Sequence, residues 1–424
     1  MSARARVCVV GGGVAGMGAA WRLSPRHDVV VVEADTRLGG HVHTHDVRVG
    51  GRDFRVDTGF IVFNRVHYPL LDGLFDALGV ETQPTTMGFS VQEASTGLEY
   101  NATSLDRLFV QRRNLASPRF WGMLRDLRRF YREAAALLAS AGEGPGLGDY
   151  LQREGYGEAF VDVHLVPMAS ALWSSPAAGI LDFPAKYLVR FMDQHRMLQV
   201  DGRPEWRVVT GGSRSYVDAL QARWPVEVRT ATPVQAVRRR ADGRVDVVTA
   251  RGTDVFDEVV LACHGDDALR LLEAPVDEER RVLGAITYQD NDTVLHTDAR
   301  MLPTRRRAWA AWNAHVPAAP GAPCSVSYCM NLLQGLDAPE PLVVTLNRTN
   351  DIEASRIVAR MRYRHPVYTR ASVAAQAQVA DISGRDRIWY AGAWCGYGFH
   401  EDGLRSGYAA ADAIIERHIA RRAA

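Results

Sequence analysis

The sequence predicts an α/β protein built on a Rossmann-like unit, and three features of its first 33 residues predict this fold. Residues 6–10 and 29–32 are short runs rich in valine, as expected for buried parallel strands. Between them stand three glycines, Gly11, Gly13 and Gly16, followed by small residues typical of a closely packed helix. A strand, a glycine turn and a helix in this order indicate a dinucleotide-binding βαβ unit.

Each position of the glycine turn has a predicted task. Gly11 permits the tight turn, Gly13 lets the backbone approach a pyrophosphate, and Gly16 lets the helix pack against the sheet. The helix N-terminus that follows would face the phosphates. Glu33 comes 22 residues after Gly11, at the end of the second strand, where it could accept hydrogen bonds from a ribose. A nucleotide cofactor is therefore predicted; the alternative is a turn that binds nothing.

Composition limits the class of protein. The 424 residues suit roughly two domains, and 47% hydrophobic with 23% charged residues is typical of a globular chain. A net charge of +1 argues against a general nucleic-acid binder. Five scattered cysteines without a Cys-x-x-Cys pair indicate a reducing compartment, and the first residues are too short for a signal-peptide core. We expect a cytoplasmic protein.

Later motifs select the cofactor. They are Arg37-Leu38-Gly39-Gly40-His41, Asp57-Thr58-Gly59-Phe60, Trp389-Tyr390-Ala391-Gly392, and the turn at residues 398–407. With these motifs the sequence resembles the flavin-containing amine oxidase superfamily, which includes phytoene-type desaturases and protoporphyrinogen oxidases. Residues 57–64, 288–298 and 394–407 resemble a bacterial subgroup of predicted FAD-binding oxidoreductases that are often encoded beside cyclopropane fatty acid synthase-like methyltransferases.

The resemblance implies a discontinuous, Rossmann-like FAD-binding domain of the GR2 type, made of residues 1–70, 203–266 and 383–424. Residues 71–202 and 267–382 would form an inserted α+β substrate domain. A helix predicted over residues 402–415 would direct its N-terminus at the flavin. The residues expected to hold noncovalent FAD are Gly11, Gly13, Val14, Ala15, Gly16, Glu33, Ala34, Arg37, Gly39, Gly40, His41, Thr58, Gly59, Phe60, Val234, Gly392, Ala393, Asp402, Gly403 and Leu404.

Two of these positions depart from the family pattern. His41 stands where relatives usually carry an arginine near the phosphates, and Arg37 could supply that charge instead. Ala393 replaces an acidic residue that many relatives use to hold the ribityl chain. His41, His43 and His45 alternate as zinc ligands could, but no fourth ligand is specified, so no metal is expected.

The expected substrate is hydrophobic. Aromatic residues for its pocket are Trp312, Tyr328, Trp394, Tyr397 and Phe399. Amine oxidases of the superfamily typically hold a water near the flavin through a lysine of the second insert, and residues 267–382 contain none. The one lysine, Lys186, lies in the helical insert and is expected on the surface. The apolar residues 165–181 could line an acyl-chain tunnel, touch a membrane surface, or form ordinary helical core.

These observations favour an FAD-dependent oxidoreductase that removes a hydride from an unsaturated or methyl-branched fatty acyl chain. His400 and Glu401 are the candidate bases for the proton; the alternative is that both belong to a structural turn that contacts the flavin. Three alternatives stay open: an amine oxidase, a double-bond isomerase with no net oxidation, and an FAD-stabilised accessory subunit of a lipid-modifying enzyme. Expected partners are a hydrophobic small-molecule or lipid substrate, a membrane surface in peripheral contact, and a lipid methyltransferase of the same pathway; no nucleic acid is expected.

Overall fold

The structure, a computed structural model, describes residues 4–173, 177–199, 201–319 and 324–423. Its strands are β1 (Arg6–Val10), β2 (Asp28–Val32), β3 (Thr44–Val49), β4 (Arg52–Asp57), β5 (Val62–Phe63), β6 (Thr82–Pro84), β7 (Phe89–Glu93), β8 (Leu98–Asn101), β9 (Arg207–Val209), β10 (Glu227–Arg229), β11 (Val234–Arg239), β12 (Val245–Thr249), β13 (Gly252–Phe256), β14 (Glu258–Leu261), β15 (Thr287–His296), β16 (Trp312–Val316), β17 (Ser325–Cys329), β18 (Val343–Leu346), β19 (Ile357–Val367) and β20 (Ile388–Tyr390).

The helices of the same ranges are α1 (Val14–Leu23), α2 (Pro69–Leu78), α3 (Leu105–Leu108), α4 (Pro118–Glu133), α5 (Leu147–Arg153), α6 (Glu158–Phe160), α7 (Val166–Trp173), α8 (Ala177–Leu181), α9 (Ala185–Gln194), α10 (Arg214–Gln221), α11 (Gly265–Leu271), α12 (Asp277–Gly284), α13 (Met330–Leu333), α14 (Arg370–Gln376), α15 (Val379–Ile382) and α16 (His400–Ala423).

A five-stranded parallel sheet with the order β10-β2-β1-β14-β20 confirms the predicted α/β fold. Alternate residues of its central strand point to opposite faces: Val7 and Val9 pack toward α1, α2 and α16, while Cys8 and Val10 pack toward α11 and α12. Both faces are thus covered by apolar side chains, which explains why the strands read as continuous valine runs.

A second sheet, of seven strands, has the order β19-β15-β18-β17-β16-β7-β8. Its neighbours are antiparallel except β16 and β7. Strands β7 and β8 come from the first predicted insert and the other five from the second. The two inserts therefore build one sheet together, which is the reason they can act as one α+β unit.

Helices cover one face of this second sheet. The helical segment from α6 to α7 is continuous, with a π-helical turn at Val161–Leu165 between them. Its apolar side chains share a core with α4, α9 and strands β7 and β8. Residues 165–181, the predicted apolar segment, lie partly outside the described residues; their described part belongs to the π-helical turn, α7 and α8.

Within the described ranges, none of the helices combines the length and the apolar character that crossing a membrane requires.

The packing bears on the predicted domain boundaries, which stay a prediction. Leu71, Leu74 and Phe75 of α2 belong to the core of the parallel sheet, although they follow the boundary at residue 70. Helices α11, α12, α14 and α15 contribute to the opposite core of the same sheet. The core of the parallel sheet therefore includes residues outside the predicted ranges 1–70, 203–266 and 383–424.

The last helix approaches α1 as closely as backbones allow. A Cβ built on Gly407 would lie 2.1 Å from the Ala15 carbonyl oxygen, and one on Gly403 would lie 2.7 Å from Val14 Cγ1. Only glycine fits such a contact. Helix α16 runs from His400 to Ala423, so the predicted helix over residues 402–415 is confirmed and is longer at both ends.

Replacing Gly407 with alanine is expected to destabilise the fold by about 2 kcal/mol, because the new methyl group would push α16 away from α1. Gly122→Ala is the matched control: a Cβ there meets no atom within 4 Å, and Gly122 lies inside α4, where alanine favours the helix. Urea unfolding of both variants checks this. Equal stability of Gly407→Ala and the unchanged protein would contradict the close contact.

Candidate flavin and substrate site

Four neighbouring strands end at one edge of the parallel sheet, and predicted cofactor residues follow three of them. Gly11 follows β1, Glu33 follows β2, Ala262 follows β14 and Gly392 lies two residues after β20. The Gly11 N–H donates to the Val32 carbonyl oxygen at 2.8 Å, which closes the turn onto β2. This edge is where ligands bind in open α/β sheets.

The N-terminus of α1 is left open at that edge. Gly13 is the N-cap residue, and no side chain caps the helix. A Cβ built on Gly13 meets no atom within 4 Å, whereas a Cβ on Gly16 would lie 1.9 Å from the Gly11 carbonyl oxygen. Gly16 is thus needed for packing, while Gly13 borders free space beside helix N–H groups that have no intrahelical partner. This space suits an anion.

Glu33 is held rigidly beside the helix N-terminus. Its carboxylate accepts the Gly12 N–H at 2.6 Å and the Asp35 N–H at 2.8 Å. The Glu33 carbonyl accepts the Thr232 N–H at 2.9 Å, so the chain that leads into Val234 of β11 runs next to it. Ala34 is exposed at the same place. The predicted ribose and adenine contacts therefore lie side by side.

Arg37 braces the second glycine loop. Its guanidinium donates to the carbonyl oxygens of Val42 at 2.7 Å and Gly40 at 2.8 Å. Gly40 has φ +57°, and a Cβ on it would come within 3.2 Å of Gly13 Cα. The loop of Gly39 and Gly40 therefore lies directly on the α1 turn, and Arg37 fixes it there.

His41 lies in a cluster of rings between the two sheets. Its ring centroid is 5.2 Å from Tyr363, 5.3 Å from His365 and 6.2 Å from His264. Burial lowers the pKa of His41 to about 4, and its buried Nε2 has no hydrogen-bond partner among the described residues. The ring is thus neutral and holds an unused polar atom.

Thr58, Gly59 and Phe60 adjoin this cluster of rings, and together they form one wall of the site. A Cβ on Gly59 would lie 2.1 Å from the His41 carbonyl oxygen, which also accepts the Phe60 N–H at 2.8 Å. The Thr58 hydroxyl is 2.7 Å from the Tyr363 hydroxyl. The Phe60 ring stacks on His400 with centroids 3.7 Å apart. Residues from both ends of the chain therefore meet at one place.

The turn before α16 is closed by its own side chains. Ser406 Oγ accepts the Gly392 N–H at 2.9 Å, next to Ala393. Asp402 accepts the Phe399 N–H at 3.1 Å, and burial raises the pKa of Asp402 to about 6. Leu404 is fully buried, and its Cδ1 would lie 2.5 Å from a Cβ on Gly18 of α1. The turn is thus preformed against α1.

The two predicted bases differ in their surroundings. Both Glu401 oxygens accept backbone N–H groups, from Leu70 and Leu71 at 3.1 Å each, at the start of α2. Glu401 therefore serves as an anchor for α2. Burial lowers the pKa of His400 to about 3, and its buried Nε2 has no partner among the described residues. Of the two, His400 has a ring nitrogen that could take a proton in the tautomer whose hydrogen lies on Nδ1.

The predicted aromatic pocket is divided by the structure. Trp312 and Tyr328 are cross-strand neighbours of the seven-stranded sheet with ring centroids 5.4 Å apart. Tyr397 and Phe399 pack on Phe191 of α9, at 5.3 and 5.1 Å. Trp394 does not join either group: it is 2% exposed, packs in the core of the parallel sheet, and donates its indole N–H to Cys263. Its assignment to the pocket was wrong, because it fills the core below the turn.

A buried histidine that the sequence did not reveal lies in the π-helical turn. The Tyr100 hydroxyl donates to the Val163 carbonyl oxygen at 2.9 Å and is 2.8 Å from His164 Nδ1. Since its one hydrogen goes to a carbonyl, which only accepts, Nδ1 carries the hydrogen of the second bond and Nε2 keeps its lone pair. Burial lowers the pKa of His164 to about 4. The one feature of the sequence that could have indicated it is a histidine among the apolar residues of the helical insert.

Two further expectations are clarified. Lys186 is 7% exposed, and its Nζ donates to the carbonyl oxygens of Ser140 and Gly142, so the predicted surface position is wrong.

Among the described residues, His264, Asp266 and Asp267 alone meet the geometry of a metal site. Arg364 pairs with both carboxylates, which reduces their charge for an ion.

Comparison with known proteins identifies relatives over much of the chain. The sequence profile of the family described as flavin containing amine oxidoreductase matches residues 14–297, more than half of the chain. Carotenoid phi-ring synthase of Streptomyces griseus is 26% identical over 288 residues, 63% of this chain and 54% of that protein. The match spans about half the length of this curated relative.

Solved structures share the fold over nearly the whole chain. Cyclohexylamine oxidase from Brevibacterium oxydans IH-35A superposes with a TM-score of 0.71 at 16% identity, covering 98% of this chain and 99% of that one. The CLA-producing fatty acid isomerase from P. acnes gives 0.66 at 17% identity with the same coverage. At these identities the likeness shows the fold alone.

Buried neutral histidines predict loss of stability in acid. The pKa of His164 is lowered from 6.5 to about 4, so below pH 6.5 the unfolded chain takes up protons that the folded protein does not. As the pH falls from 6.5 to 4, each such histidine lowers the free energy of unfolding by up to roughly 1.4 kcal/mol per pH unit. His164→Phe, which keeps a ring there, should lower the pH slope measured by urea unfolding; an unchanged slope would show that His164 is not buried neutral.

Proposed function

The chain belongs to the flavin containing amine oxidoreductase family, and from that membership we propose an FAD-dependent enzyme that removes a hydride from a hydrophobic substrate. The favoured substrate is an unsaturated or methyl-branched fatty acyl chain. The observation that carries the proposal is the open α1 N-terminus beside Glu33, facing a wall of neutral rings that includes His41, Phe60 and His400.

FAD fits this edge of the sheet. The free space at Gly13 would take the pyrophosphate, Glu33 the adenosine ribose, and the chain at Val234 the adenine. The unpartnered His41 Nε2 is a buried polar atom that a bound group could satisfy. When bound, FAD supplies a hydride acceptor. Noncovalent binding is part of the proposal, since burial raises the pKa of the Cys395 thiol, the cysteine nearest the turn, to about 12.

The surroundings favour a lipid over an amine. Phe89, Trp312 and Tyr328, which are half-buried on the seven-stranded sheet, are apolar contacts for a chain. The one lysine, Lys186, is bound to backbone carbonyls. A fatty acid isomerase and a carotenoid synthase among the relatives act on apolar molecules by name, which supports this choice.

Desaturation removes a hydride from one carbon and a proton from its neighbour, and we assign the proton to His400. Its lowered pKa keeps the imidazole neutral, and the assignment requires the tautomer with the hydrogen on Nδ1, which leaves Nε2 free to accept. Stacking on Phe60 fixes the ring plane. Glu401 keeps α2 in place and so positions the turn that carries His400.

A double-bond isomerase is the second candidate. The His400 Nε2 is buried, so a proton taken there exchanges slowly with water and could return to another carbon of the same substrate. Such a reaction would leave the product mass unchanged and need no electron acceptor. Mass spectrometry of the product, with and without an added acceptor, separates the two reactions.

The proposed cellular setting is the cytoplasm. All five cysteines are unpaired, which suits a reducing compartment such as the cytoplasm. A lipid methyltransferase in the same pathway would supply methyl-branched chains. An accessory subunit without catalysis would need no free base over the flavin site, and His400 Nε2 argues against it.

Replacing Gly13 with valine is expected to abolish FAD binding while the protein still folds. The backbone there is extended, with φ −75° and ψ −178°, and a Cβ meets no atom within 4 Å. The side chain would therefore occupy only the space assigned to the pyrophosphate. The absorbance of the purified protein and the flavin released by acid measure the loss.

Gly16→Val serves as the contrasting variant, because its Cβ would lie 1.9 Å from the Gly11 carbonyl oxygen and should prevent folding. A folded, yellow Gly13→Val protein with the usual flavin content would overturn the assignment of the pyrophosphate.

Replacing His400 with phenylalanine should slow flavin reduction by a fatty acyl substrate about a hundredfold or more, because the stacked ring remains and the proton acceptor is lost. Anaerobic mixing with unsaturated and methyl-branched phospholipids, followed at the flavin absorbance, measures the rate. Glu401→Gln is the control: it should lower stability through α2 and reduce the rate far less.

Both variants are first checked for retained FAD. Wild-type protein that is bleached by amines and not by lipids would refute the substrate class. A His400→Phe protein reduced at the normal rate would refute the base.

A further inference from the structure

Three exposed apolar side chains form one patch on the helical insert. Leu105, Leu115 and Trp121 are 77%, 52% and 49% exposed. The Trp121 indole N–H donates to the Leu115 carbonyl oxygen at 2.9 Å, and the Trp121 ring lies 5.4 Å from Phe109. The Phe109 N–H in turn donates to Leu105 at 3.2 Å. We call these three side chains the Leu105 patch.

Arginines surround the patch. Arg107, Arg112, Arg113, Arg306 and Arg307 are exposed, and Asp106 is the one exposed acid among them, so this surface carries a net charge of +4. The whole chain carries +1. Asp106 forms ion pairs with Arg112 and Arg307, whereas the Arg107 side chain has no partner in the described part of the chain. The positive charge is therefore concentrated at the patch.

The patch is rigid before it meets any partner. The Arg113 guanidinium donates to the Gly97 carbonyl oxygen at 2.8 Å, and the Ser117 hydroxyl caps α4 by accepting the Phe120 N–H. The buried Asn114 lies between them. A preformed surface loses little conformational entropy on binding. More of the free energy gained by burying its few exposed apolar side chains therefore appears as affinity.

We propose that the Leu105 patch docks this protein on a bilayer that contains anionic phospholipids. Leucine and tryptophan side chains enter the boundary between headgroups and acyl chains, and arginines pair with lipid phosphates. Each arginine near an anionic surface strengthens the attraction, which salt weakens. The occupant is a lipid surface because the apolar side chains match its acyl region and the surrounding arginines match its phosphates.

A protein partner fits less well. A stable protein interface takes about 20–30 residues from each side, whereas this surface offers three exposed apolar side chains and the five arginines around them. Pairing with a second copy through the same face would bring +4 against +4, which costs energy. The size and the charge of the patch therefore both favour a membrane.

The patch also lies on the outer side of the core that holds His164. Phe120, next to Trp121, contacts the Tyr100 ring at 5.7 Å, and the Tyr100 hydroxyl bonds to His164. A lipid chain leaving the bilayer at the patch would meet this apolar core first. The inference goes beyond the proposed chemistry and does not depend on it.

Vesicle flotation of the flavin-loaded protein tests the proposal without any turnover. Vesicles of phosphatidylcholine with phosphatidylglycerol should bind the protein at least about tenfold better than phosphatidylcholine alone, and added salt should reduce binding. The double variants Leu105→Ser with Leu115→Ser, and Arg107→Gln with Arg306→Gln, should each weaken binding about tenfold.

Matched controls remove the same residue types elsewhere. Leu332→Ser with Ile419→Ser, at side chains that are 41% and 55% exposed, and Arg26→Gln with Arg251→Gln, at exposed arginines, should bind vesicles as the unchanged protein does. Trp121→Phe should remove any blue shift of tryptophan fluorescence on binding.

Equal binding to neutral and anionic vesicles, or unchanged binding of the patch variants, would overturn the proposal. So would patch variants that change the oligomeric state in size-exclusion chromatography and leave vesicle binding as it was, since the surface would then be a protein interface. Because no substrate is present, none of these results bears on the reaction.

Discussion

The contact of α1 with the β1 turn and with α16 is the constraint on which the site depends. A Cβ built on Gly16 would lie 1.9 Å from the Gly11 carbonyl oxygen, and a Cβ built on Gly407 would lie 2.1 Å from the Ala15 carbonyl oxygen. No side chain fits at either place. The helix N-terminus is thereby fixed at the sheet edge, and the chain entering α16 is fixed beside it. His400 reaches this edge only because α16 packs so closely.

Neutral histidines are the second property of the site. Burial, and not a nearby carboxylate, is the largest influence on His41, His365 and His400, and it lowers the pKa of each below 5. Asn291 donates to His365 Nδ1 at 2.8 Å, so that ring carries its hydrogen on Nε2. These rings therefore offer hydrogen-bond donors and acceptors without charge.

Local patterns were sufficient to predict the parallel sheet and the glycine turn, because a βαβ unit depends on neighbours in sequence. Contacts distant in sequence could not be predicted in the same way. Glu401 caps α2 through residues 330 positions away, so its position in the turn gave no sign of that role. Trp394 adjoins the turn in sequence but fills the core beneath it.

The burial of two other residues depends on the helical insert. His164 is buried because a π-helical turn and Tyr100 hold it, and helical periodicity gives no sign of such a turn. Lys186 is buried because two carbonyls of the chain near residue 140 surround its ammonium group. The resemblance predicted a flavin-binding domain with an inserted α+β domain, and the structure showed that Glu401 bonds to the start of α2 while His400 Nε2 has no partner among the described residues.

Hydride transfer from the chain can be measured as the rate of anaerobic flavin reduction by a fully deuterated acyl chain, compared with its protiated form in a single turnover. If a C–H hydride leaves the chain for the flavin, the deuterated substrate should reduce it several times more slowly. Equal rates, or no reduction by either chain, would contradict hydride removal from a fatty acyl substrate.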